Sequence, residues 1–130
     1  MTSLLSNSAN DQVRHSIAGA VASRLERDQY LRELRGVTRP EIAAITERVV
    51  DAFAAWDDGQ DSEVAACADY IAERCSARAI PLLEAAYAMY AIRDGLLAIA
   101  ASESARCQGK DCRRLMQFFD ALVLALLRQR

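Results

Sequence analysis

Few side chains in this 130-residue chain are equipped for chemistry. Four are cysteines: Cys67, Cys75, Cys107 and Cys112. Cys67 and Cys75 are two helical turns apart, about 12 Å, beyond the roughly 7 Å that a disulfide tolerates between Cα atoms. They read as small apolar residues of a core. Cys107 and Cys112 flank Gly109 in a C-x4-C arrangement, open to a disulfide or a metal. A zinc site takes four ligands at recognisable spacings, and His15 is the only histidine. No metal and no other cofactor is therefore expected. A haem held by a proximal histidine is excluded too, because no histidine follows His15.

Arg93 and Asp94 are the most informative charges. With Glu84 near its start, they interrupt the strongest apolar stretch, Leu82 to Ala101. Neighbours on a helix point about 100° apart, so simple mutual pairing is not expected. A buried unpaired charge is costly. Each needs an ion-pair partner elsewhere, a helix edge, or a ligand or partner protein. Tyr87 and Tyr90 precede Arg93 by one to two turns, and with Trp56 they form a candidate contact site between helices. No nucleophile elbow, phosphate loop, zinc-protease helix or kinase signature occurs, and no paired carboxylates stand out. A non-enzymatic role is the expectation.

His15 begins the run His15-Ser16-Ile17-Ala18-Gly19-Ala20. The run is similar to the phosphorylated segment of histidine phosphotransfer domains, which also form helical bundles. That resemblance implies phosphoryl transfer through an exposed His15. Ala18 stands where that family usually carries a basic residue, and its histidine normally lies on a later helix.

The elements that would position these residues are helices. Alanine fills 25 positions, while glycine and proline fill 5 and 2, too few for a chain of many tight turns. The length suits one domain. Apolar residues at 52% and charged ones at 26% exclude long disorder. A net charge of −2 argues against nucleic acid as the main ligand. No apolar run reaches the eighteen or so residues of a membrane span. With no secretory signal at the start, a cytoplasmic protein with reduced thiols is expected.

Five helices are read from the spacing. Residues 1–10 are expected as a flexible lead-in. The first helix runs from Asp11 to Arg35 on a stripe of Val13, Ile17, Val21 and Leu25, extended by Leu31 and Leu34 and ended by Gly36. The second starts at a T-x-x-E capping box, Thr38 to Glu41, with Pro40 in its first turn. Its stripe is Ile42, Ile45, Val49, Phe53 and Trp56, and Asp57-Asp58-Gly59 closes it. The third, from Asp61 or Ser62 to Ala77 or Arg78, turns Val64, Cys67, Ala68, Ile71 and Cys75 inward. The fourth, from Ile80 to Ser102, is apolar nearly all round and is expected to be the most buried. Along it Glu84, Ala88, Ala91, Gly95 and Ala98 form a mostly small strip that permits a close helix approach. The fifth runs from Asp111 to the end, with Leu115, Phe119, Leu122 and Leu126 on one face and Met116, Val123 and Leu127 beside them. That face is the candidate dimer interface, although the same residues would also suit the core of one subunit. The helix carries no capping signal at Arg130, which suggests a chain that continues or a helix that pairs. The expected fold is all-α, a four- to five-helix bundle, with globin-like crossing angles as one form.

The order Tyr70 to Cys75, then Ile80-Pro81-Leu82-Leu83-Glu84-Ala85-Ala86-Tyr87, then Arg93 and Leu96-Leu97, resembles the N-terminal domain of RsbRD-type proteins, with Trp56 matching a Trp on an upstream helix. These are co-antagonists of the RsbT kinase in bacterial stress signalling. The resemblance spans about residues 10 to 130. It implies a sensory or regulatory input domain, similar to non-haem globins or helical bundles, that pairs as a homodimer. Such domains precede STAS, histidine-kinase or PucR-like output modules. A helical scaffold without a sensing role is the other reading of the same pattern.

Overall fold

The computed structural model of the chain describes residues 10–27, 37–103 and 109–129. Among the described residues there are five helices and no strand: α1 (Asn10–Arg27), α2 (Arg39–Asp57), α3 (Glu63–Ala77), α4 (Leu82–Glu103) and α5 (Gly109–Leu127). The fold is an all-α helical bundle. Leu31, Leu34 and Gly36 of the expected first helix lie outside the described residues, as do Cys107 and residues 1–9 of the lead-in.

The helix ends follow local chemistry. Thr38 has extended backbone and its hydroxyl oxygen accepts from the Glu41 N–H at 3.4 Å. Its hydroxyl proton goes to Glu41 Oε1 at 3.1 Å, tying the capping pair together through side chains. The stop of α3 is a Schellman arrangement. The Ile80 N–H reaches the Cys75 carbonyl at 2.9 Å, and the Ala79 N–H reaches that of Ser76 at 3.2 Å. Ala79 takes the left-handed position at φ 56°, where glycine is usual. Pro81 stands just before α4, its carbonyl accepting from the Glu84 and Ala85 N–H groups.

Packing joins α1 to α2 and α4, α2 to α3, and α5 to α3 and α4, with α5 also touching α2. The buried stripes meet at the centre: Ile17 and Val21, Val49 and Phe53, Ile71, Met89 and Ile92, and Phe118, Phe119 and Leu122. On the strip of mostly small residues of α4, Gly95 faces α1: a Cβ there would stand 3.4 Å from Ile17 Cγ2, in van der Waals contact. Between charged side chains, Arg48 bridges α2 to Glu63 at 2.7 Å and Arg78 bridges to Glu41.

The helix α4 buries a broad apolar face, and its outer side carries apolar residues as well: Leu83 is 72% exposed, Tyr87 is exposed, and Tyr90, Arg93 and Asp94 are half-buried. One expectation is corrected, and it concerns α5. Leu115, Phe119, Leu122 and Leu126 are fully buried within this chain, and so present no surface to another copy. They cover the inner side of α5, which three other helices close over.

Candidate functional site

Asp94 is the centre of the one converging charge cluster that the sequence had flagged. Arg24 Nη1 of α1 donates to its Oδ2 at 2.8 Å. Arg93 donates to its Oδ1 through Nε at 3.2 Å and Nη2 at 3.0 Å. Contrary to expectation, the adjacent pair does interact. The long arginine side chain folds back across the 100° between the two positions. The Arg93 guanidinium also lies 4.7 Å from the centre of the Tyr90 ring, a cation–π contact.

Burial pushes the Asp94 carboxyl up, but the hydrogen bonds and charges of Arg24 and Arg93 outweigh it and hold the group below its ordinary value. Arg24 is raised, first by its bond to Asp94, with the Tyr87 hydroxyl adding to it. A carboxylate kept ionised by two arginines at neutral pH is a poor general acid. The arrangement is suited to tying α1 to α4. At side-chain exposures of 37% and 44% the Arg24–Asp94 tie is solvated, so its stabilisation is roughly 1 kcal/mol or less.

Arg24 is the residue that sequence reasoning missed. It follows Ile17 by seven positions, which returns it to the same face of α1. A charge on the rim of a buried face was the available signal, and it called for a carboxylate such as Asp94.

Trp56 belongs to a different cluster. Its ring stands 6.3 Å from that of Phe53 and 5.6 Å from that of Phe118. Arg114 of α5 covers it at 4.1 Å and donates to Asp57 at 3.0 Å. Tyr90 and Tyr87 are engaged instead by Arg93 and Arg24. The expected contact site is thus divided: Tyr87, Tyr90, Arg93 and Asp94 come together, while Trp56 anchors the junction of α2 with α5.

His15 is exposed on α1. It borders a surface depression of about 280 Å³ shared with Gly19 and Arg39. A Cβ at Gly19 would meet nothing within 4 Å, so packing does not require a glycine there. Cys67 and Cys75 are buried, as a core role demands. Burial pushes the Cys67 thiol up to about 12 and raises that of Cys75 as well. Among the described residues no three His, Cys, Asp or Glu side chains cluster as metal ligands, and no helix is long and apolar enough to cross a membrane. Compared with known proteins, the chain matches no family model, no curated protein and no solved structure.

Proposed function

We propose that this chain is a cytoplasmic, non-enzymatic regulatory input domain that pairs with a second copy and couples to an output module through the outer faces of α4 and α5. The observation that supports the reading is where the large exposed apolar side chains lie. Among the described residues these are Leu83 and Tyr87 on α4, and Met116, Leu124 and Leu127 on α5. Among the described side chains, α1, α2 and α3 carry none. The helices α4 and α5 pack together across a short connection, which favours antiparallel neighbours. Leu83 and Tyr87, early in α4, then share an end of the bundle with Leu124 and Leu127, late in α5. Clustered exposed apolar side chains are a mark of an interaction surface.

The charges beside that surface suit self-association. Asp120 and Leu124 of α5 and Arg128, the residue just past its end, are spaced four apart and all exposed. Two α5 helices crossing antiparallel at Leu124 set each Asp120 opposite an Arg128 of the other copy. The resemblance to RsbRD-type domains supplies the class of output module: STAS, histidine kinase or PucR-like. A stimulus relays through this surface only by binding two packing states with different affinity. The deciding measurement is molecular mass by sedimentation over a range of concentrations. A dimer that Leu124→Glu converts to a helical monomer is the expected result. A strictly monomeric wild type at high concentration rejects the proposal.

The exposed His15, with the unneeded Gly19 one turn on, favours phosphotransfer as a second reading. Incubation with a phosphodonor and a cognate kinase or receiver should then give an acid-labile phosphate that His15→Gln abolishes. An unlabelled wild type removes this reading.

A further inference from the structure

We infer that the centre of the bundle is a binding site for a small, uncharged, apolar molecule of two or three heavy atoms, the size of dioxygen. The site is a partly open hollow of about 30 Å³ lined by four helices: Val21 from α1, Ile42 from α2, Ile71 from α3, and Met89 and Ile92 from α4. One water occupies roughly 10–15 Å³ on this measure, so there is room for two or three such centres. The chemistry of the wall selects the occupant. Its only polar side chains are Thr46 and Cys75. The Thr46 hydroxyl proton is already committed to the Ile42 carbonyl at 2.8 Å, which leaves its oxygen only as an acceptor. Water needs two to four polar partners, and this wall offers that one oxygen and a weakly polar thiol. A charged ligand would be left without compensation.

A way in is also present. The cavity shares Val37, Ile45 and Cys75 with a second hollow of about 30 Å³, whose other walls include Glu41, Arg74 and Arg78 at the surface. One layer of side chains therefore separates the interior from the charged rim between α2 and α3. The cavity persists because small residues, Ala85 and Ala88, face it from α4. An unfilled core void lowers stability, and an occupant would recover those contacts. It would also bear on α4, the helix that carries Leu83 and Tyr87. The role as an input rests on the reading in the preceding subsection; the binding site itself does not.

The test is methyl NMR of the whole chain under increasing xenon pressure, with dissolved dioxygen as a paramagnetic second probe. Saturable shifts are expected at the methyls of Ile42, Ile71, Met89 and Ile92, with those of Leu115 and Leu126 on α5 unaffected. Dioxygen should broaden the same set. Val21→Ile adds one methyl group to the wall and should weaken xenon binding at least about tenfold, by filling much of the void. Ala88→Val serves the same purpose from α4. Shifts that rise linearly without saturating, or that are spread over the surface, overturn the inference in the wild type alone. So does an unchanged response in a folded filling variant. A protein that dimerises through Leu124 without a xenon response loses only this site. A strict monomer with the response loses only the input role.

Discussion

Asp94 shows how little a side chain's neighbours in sequence say about its company in the fold. One of its donors is adjacent, Arg93, and the other comes from α1, seventy positions away. Because the folded carboxyl lies below its ordinary value of 3.8, its contribution to stability is present above that pH and disappears as the pH falls through the lower folded value. Asp94→Asn should therefore lower stability at neutral pH by no more than about 1 kcal/mol, given its exposure. The gap between wild type and variant should close in strong acid. Thermal melts of both proteins across that range check this, and a gap that widens on acidification contradicts the arrangement. Arg93 and Asp94 were legible as charges in need of partners. Arg24 was not singled out, because a single arginine late in an amphipathic helix is an ordinary feature.

The helix α5 carries two apolar faces of opposite meaning. Leu115, Phe119, Leu122 and Leu126 are sealed inside, while Leu124 on the opposite face is 54% exposed. Removing methyl groups from a sealed position costs both transfer free energy and a cavity. Leu122→Ala should therefore destabilise the chain by about 2–5 kcal/mol. Leu124→Ala should leave a dilute, monomeric sample within about 0.5 kcal/mol of wild type. Urea denaturation of the two variants at low concentration decides between the faces, and equal losses would mean the burial pattern is wrong. The stripe itself was plain in the spacing of the four residues. What covers it was not, since periodicity groups residues by face and leaves the identity of the covering helix open.

Across the molecule, the same closure governs the thiols. Cys67 and Cys75 face inward from α3 into a core that excludes water, and their thiols stay neutral. The unfolded chain ionises its cysteines from about pH 9, whereas folded Cys67 holds its proton to about 12. Stability from this source is complete below the first value and is lost as the pH climbs toward the second. The urea midpoint should fall more steeply above about pH 9 in the wild type than in Cys67→Ala. Parallel slopes would show that the Cys67 thiol does not govern the alkaline limb.

Periodicity, capping residues and composition were enough to read an all-α chain with five helices and most of their ends. These features are local: a Thr38–Glu41 pair, an apolar face repeated every three or four residues, a turn at Asp57 to Gly59. Each acts within a few residues of itself, so each is written along the chain. The partner of Asp94, the separation of Trp56 from the tyrosines, and the inward turn of Leu115, Phe119, Leu122 and Leu126 depend on which helices meet. So does the apolar cavity among four of them. Such contacts arise from close packing between segments far apart in sequence, and no single helix contains the information that selects its neighbours.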